Sequence, residues 1–128
     1  MTTKIGAGIG EAEAGSLKVA ACLFHGFSDP SRLAILQHLS LGEHRVVDLT
    51  AHLGLAQSTV SKHLACLKDC GLVTSRAQGR ASVFSLTYPE ALMQLLTAAE
   101  KLLDLTGDAV ALCSTHGIAA QHTDEDLT

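Results

Sequence analysis

Between Arg45 and Gly71 the chain carries two short apolar-periodic segments with almost nothing between them, and that arrangement leaves few folds open. In the first, Val46, Leu49 and Leu53 recur at helical spacing, and Gly54 follows where a helix ends in a left-handed cap. The second begins at Gln57-Ser58-Thr59, turns Val60, Leu64 and Leu67 inward, and stops at Gly71. Two short helices across a tight glycine-containing turn make a helix-turn-helix. Leu72-Val73-Thr74-Ser75-Arg76 and Ala81 to Leu86 then flank Gln78-Gly79 as β-rich runs, the pattern of a hairpin. In that position a hairpin is a wing.

The flanking segments are helical as well. From Ser16, Leu17, Ala20, Ala21 and Phe24 form a face that ends near Gly26. Ser28-Asp29-Pro30 is a cap residue followed by proline at the first helical position. It opens a helix with Leu33, Leu36 and Leu39 on one face, which Gly42 stops. Pro89 begins a long helix whose Leu92, Leu95, Leu96, Ala99, Leu102, Leu103 and Leu105 cover more of its circumference than one small domain can bury. Such a helix is expected to pack on a symmetry mate. The reading is a mainly α fold with a small β-hairpin: a winged helix-turn-helix whose long last helix pairs with a second copy. Residues 1–15 are expected to be a flexible arm, 16–112 the DNA-binding and dimerisation domain, and 113–128 a tail.

A chain of 128 residues, 47% of them hydrophobic, is one domain with a real core, and an aromatic content of 3% makes that core aliphatic. No apolar run reaches the roughly 18 residues of a membrane span. Glu11 and Glu13 interrupt the place a signal peptide would need, so a cytoplasmic location is expected. There, cysteines are free, metal-bound or redox-active rather than a disulfide framework.

Net charge is −4, which argues against non-specific coating of nucleic acid. Between Gln57 and Ser82, however, Lys62, Lys68, Arg76 and Arg80 face only Asp69, a local net of +3. The second helix opens with Gln57, Ser58, Thr59, Ser61, Lys62 and His63, short polar groups for base edges and cations for phosphates. Arg76 and Arg80 place charge on the wing. Double-stranded operator DNA is the expected partner.

In order, Ser28-Asp29-Pro30-Ser31-Arg32-Leu33-Ala34-Ile35-Leu36, Asp48-Leu49 to Leu55, Ser58-Thr59-Val60-Ser61-Lys62-His63-Leu64 and Leu67 to Val73 resemble the ArsR/SmtB family of winged-helix, metal-responsive repressors. The resemblance covers about residues 17 to 105. It implies a homodimer closed through its terminal helices, the first and the last, whose two recognition helices read an inverted repeat, entering major grooves about 34 Å apart.

Cys66 and Cys70 lie four residues apart on the second helix. At about 100° per residue with Val60 at 0°, Leu64 falls at about 40°, Leu67 at about 340°, Cys70 at about 280° and Cys66 at about 240°. Both cysteines flank the apolar stripe on one side. Side chains so spaced have Cβ atoms about 5–6 Å apart, while a disulfide wants roughly 3.5–4.5 Å. Two sulfurs reaching for one ion fit better than an intrahelical disulfide. Cys113 is the leading candidate for a third ligand, and His116 could add a nitrogen. The pattern resembles the cadmium- and lead-sensing CmtR-type branch, which implies Cys66, Cys70 and Cys113 as ligands. Thiolates select Cd(II) or Pb(II) over Mg(II) or Mn(II), and Zn(II) also binds thiolate readily.

Other sites of the family are missing. Glu43-His44-Arg45-Val46-Val47-Asp48 has no cysteine where some relatives carry a Cys-x-Cys motif, and the long helix has no histidine. Cys22, beside Leu23 and Phe24, reads more readily as core than as ligand, though a metal role stays open. His25, His38, His44, His52 and His122 read as surface or capping residues. The expected function is metal-released repression, with a thiol redox or persulfide-responsive repressor as the alternative. A metal buffer is opposed by the polar face at Gln57 to His63. A cysteine enzyme built on His63-x2-Cys66 lacks a glycine-rich loop and an orienting acid, so no catalysis is expected.

Overall fold

The structure, a computed structural model, describes residues 10–113. In chain order it contains α1 (Glu11–Gly26), α2 (Pro30–Leu39), β1 (His44–Arg45), α3 (Val46–Leu53), α4 (Gln57–Asp69), β2 (Val73–Gln78), β3 (Ala81–Leu86) and α5 (Pro89–Leu105). Local chemistry sets most of these boundaries. The Asp29 carboxylate accepts from the backbone N–H groups of Ser31 and Arg32 at 2.8 and 3.1 Å, capping α2 just ahead of Pro30. Gly54, at φ 67°, takes the left-handed position that ends α3.

The helix-turn-helix is α3 and α4, and the wing is β2 and β3, paired antiparallel from Val73↔Leu86 to Gln78↔Ala81. Beneath them lies an aliphatic core in which Ile35, Leu36, Leu49, Val60, Leu64 and Leu67 are fully buried. Val73, Leu86, Leu92 and Leu96 extend it under the sheet and α5. Among the described residues, no helix is long and apolar enough to cross a membrane.

Three boundaries differ from the sequence-based expectation. Helix α1 starts at Glu11 rather than Ser16, so residues 11–15 are helix and not arm. Glu11 and Glu13 lie in its first turn, where the helix dipole favours negative charge. Second, His44 and Arg45 are extended and pair with Phe84 and Val83, giving a three-stranded sheet of order β1-β3-β2 instead of a lone hairpin. Arg45 caps α3 rather than beginning it, with its backbone N–H donating to the Asp48 carboxylate at 3.1 Å. Third, Cys113 is packed into the core, because the Glu100 carboxylate accepts the backbone N–H groups of Leu112 and Cys113 at 2.6 and 2.8 Å.

The face predicted on α1 is not covered by the chain itself. Leu17 and Phe24 are 50% and 58% exposed, and Leu102 and Leu105 on α5 are 63% and 74% exposed.

Candidate thiol site beside a nucleic-acid interface

The predicted contact residues on α4 divide into two groups. Gln57, Ser58, Ser61 and Lys62 are exposed and Thr59 is half-buried. His63 instead turns inward: its Nδ1 stands 3.4 Å from Nη1 of Arg32, and its Nε2 stands 3.7 Å from the Asp29 carboxylate. Arg32, itself buried, donates through Nη2 to the His25 carbonyl and the Ser28 hydroxyl. This polar joint ties the end of α1 and the cap of α2 to the middle of α4. His63 therefore orients α4 from within.

On the wing, Arg76 donates two hydrogen bonds to Glu43, at 3.0 and 2.8 Å, and this pairing holds the Glu43 carboxyl below its ordinary range. Arg80 is exposed beside Gly79 at the hairpin tip, and Lys68 donates to the Ser75 hydroxyl at 2.9 Å.

Cys70 forms the C-terminal cap of α4, its N–H bonded to the Cys66 carbonyl. Its sulfur lies 3.0 Å from that of Cys22 on α1 and 2.9 Å from the Cys22 carbonyl. Cys22 is exposed and is not core, which corrects the expectation drawn from its apolar neighbours. The close approach depends on Gly26. A Cβ there would stand 2.8 Å from Cδ1 of Leu72 and 3.9 Å from Cβ of Cys70, so the bare glycine lets the end of α1 settle onto α4.

Desolvation, followed by the hydrogen bond and charge of Cys22 and the neighbouring Cys66, pushes the Cys70 thiol up to about 12. Three sulfurs from two helices thus gather, with the Cys70 proton held toward α1. Cys113 is elsewhere. Its sulfur is 3.2 Å from the Thr97 hydroxyl and 3.8 Å from the Met93 carbonyl, and within one chain the fold does not bring it to Cys66 and Cys70. His116 lies outside the described residues, as does His122. Among the described residues, no three His, Cys, Asp or Glu side chains already converge to hold a metal ion. Closing the thiol cluster on one requires the Cys70 proton to leave.

The raised thiol has a measurable consequence. An unfolded cysteine ionises near about 8.5, so the contribution of Cys70 to stability is intact below that pH and is lost as pH rises toward about 12. Alkaline unfolding of the reduced protein should consequently be milder for Cys70→Ala, followed by circular dichroism between about pH 8 and 11. Because the thiol is raised, alkylation of Cys70 by iodoacetamide at pH 8 should be slow in a peptide-mapped time course.

Comparison with known proteins agrees with this architecture. The family model described as "Bacterial regulatory protein, arsR family" matches residues 29–75, from the cap of α2 into β2. The regulator CmtR of Mycobacterium tuberculosis is 44% identical over 66 residues, 52% of this chain and 56% of that protein. The chain therefore spans little more than half the length of that relative. An arsenical resistance operon repressor of Staphylococcus xylosus is 40% identical over 73 residues, 57% of this chain and 70% of that protein. Among solved structures, the homodimeric winged helix-turn-helix DNA-binding domain of Mb0332 from Mycobacterium bovis superposes with a TM-score of 0.63 at 29% identity, covering 77% of this chain and 94% of that one. By the order of its motifs, its winged fold and these likenesses, the chain belongs to the ArsR family of bacterial regulatory proteins.

Proposed function

We propose that this chain is a metal-responsive transcriptional repressor, binding operator DNA as a homodimer and released when a thiophilic ion such as Cd(II) or Pb(II) occupies its thiols. The observation that carries the reading is the contact of Cys70, at the end of α4, with Cys22 on α1, with Cys66 beside it. Two of the sulfurs that would sense the ion are on the helix that would read DNA, and the third is on α1.

Cys66 and Cys70 would hold the ion, with Cys22 the third sulfur available within the chain. Cys113 remains a candidate only where it leaves Thr97 or comes from a partner protomer, with His116 beyond it. A set of soft sulfurs fits Cd(II), Pb(II) or Zn(II) and disfavours hard ions. A bound ion would supply the positive charge that favours thiolate, and Cys70 would then give up the proton it otherwise holds. The chain's own part is mechanical. Losing the Cys70 proton would remove its hydrogen bond to the Cys22 carbonyl and so loosen the contact that fixes α1 against α4. Gln57, Ser58, Thr59, Ser61 and Lys62 would face base edges and phosphates of an inverted repeat, Arg76 and Arg80 the flanking backbone, while His63 positions the helix. By linkage, DNA lowers metal affinity by the same factor that metal lowers DNA affinity. The uncovered apolar residues of α1 and α5, and the homodimer described for Mb0332, support assembly through the terminal helices.

A second reading rests on the same 3.0 Å contact. A disulfide needs about 2.05 Å between sulfurs, a short further approach. Two thiols would become one disulfide, giving two electrons and two protons to hydrogen peroxide, which leaves as two waters.

Fluorescence anisotropy with DNA from the protein's own promoter distinguishes the readings. The reduced, metal-free protein should bind with an affinity of about 10 nM or better at physiological salt. One equivalent of Cd(II) per protomer should weaken this at least about tenfold, within the usual range of allosteric coupling. Release by peroxide but not by Cd(II) would establish the redox reading, and release by neither would sink both.

A further inference from the structure

Three histidines that read as unrelated surface residues in the sequence meet in space. The ring centres of His38 and His52 are 5.1 Å apart, those of His44 and His52 5.6 Å, and those of His38 and His44 6.2 Å. They come from three elements: the last turn of α2, the start of β1 and the last turn of α3. We propose that His38, His44 and His52 form a second metal site, separate from the thiols, that takes a first-row divalent ion of the imidazole-preferring class, Zn(II) foremost.

Distance, tautomer and charge each support the site. A Zn–N bond of about 2.0–2.1 Å puts the ion about 3.2 Å from each ring centre, which sets the centres about 5–5.5 Å apart for tetrahedral or trigonal angles. The observed triangle is at most about 1 Å wider on one edge. Nδ1 of His44 lies 2.8 Å from the Gly42 carbonyl, and a carbonyl only accepts, so Nδ1 carries the proton. Nε2 is left with its lone pair, the arrangement that second-shell carbonyls impose on metal-ligating histidines. His38 and His52 both end helices, and a helix C-terminus favours positive charge.

Three imidazoles suit Zn(II), Ni(II) or Cu(II) and not the softer ions that sulfur selects. The rings do not yet converge, and binding requires them to turn about their side-chain torsions. His52 is exposed and the other two are half-buried, so room exists for this. An ion there would pin α2 and β1 to α3, the first helix of the helix-turn-helix.

The test is a Zn(II) titration of the full, reduced chain, read by imidazole ¹⁵N resonances and by chelator competition. Signals of His38, His44 and His52 should shift together with one stoichiometry. His52→Gln, at an exposed position, should weaken this Zn(II) equivalent at least about tenfold, with its thermal unfolding midpoint and the Cd(II)–thiolate absorption unchanged. His38→Gln should act in the same way. Rings of His38 or His44 that stay unshifted at saturating Zn(II), or a His52→Gln protein that binds Zn(II) as the parent does, would overturn the proposal. Persistence of the sulfur absorption in either case separates its failure from that of the thiol site.

Discussion

Cys70→Ser is expected to lower Cd(II) affinity at least about a hundredfold while leaving DNA binding by the metal-free protein within about threefold, because a hydroxyl is a hard, poorly ionising replacement for thiolate. Serine is close in size to cysteine, and its hydroxyl can still donate to the Cys22 carbonyl that the thiol meets at 2.9 Å. Fold and cap geometry should survive, so the loss isolates the chemistry of sulfur. Thiolate-to-metal absorption measures it directly. Cys22→Ser should then reduce the intensity by about the share of one sulfur in three. Cys113→Ser should leave it unchanged if the site closes within one chain, and a collapse there instead would bring the tail in from a partner.

Leu64→Ala should destabilise the fold by about 2–5 kcal/mol, the range for emptying a leucine-sized volume in a packed core. Leu64 is 1% exposed and lies with Val60 and Leu67 on the inner stripe of α4. Its loss unseats the helix that presents Gln57 to Lys62, and DNA affinity should fall with stability. Urea denaturation gives the first quantity and anisotropy the second. Val47→Ala makes the comparison, because Val47 is 55% exposed and its truncation should stay within about 0.5 kcal/mol. Equal effects from the two substitutions would contradict the assignment of the core.

The helix-turn-helix was legible because its signals are local. Asp29-Pro30, Gly54 and Gly79 each act within one turn of chain, and the stripe of Val60, Leu64 and Leu67 has a clean helical period. What escaped has no period. A two-residue strand such as His44–Arg45 takes its extended form from pairing with Phe84 and Val83, far along the chain. A helical wheel correctly set Cys66 beside Cys70 but could not show what packs across from them, and Cys22 is 48 residues away. Only the absence of a side chain at Gly26, a feature with many meanings in a sequence, hints that α1 comes so close. The histidines are harder still, since His38, His44 and His52 sit on separate elements whose packing alone gathers them.

The ion pair between Arg76 and Glu43 also bears on how the wing would answer to salt. A free surface arginine reaching a phosphate displaces a counterion condensed on the DNA, and each such contact steepens the dependence of affinity on salt. Arg76 already carries a carboxylate in bidentate contact, so meeting a phosphate means exchanging one fixed anion for another. The counterion gained in solution is offset by the cation that the freed Glu43 then attracts. Glu43 would then act as a resident stand-in for a nucleic-acid backbone: it would shield the wing from indiscriminate attraction to polyanions and leave the proposed α4 contacts to decide where the protein stays.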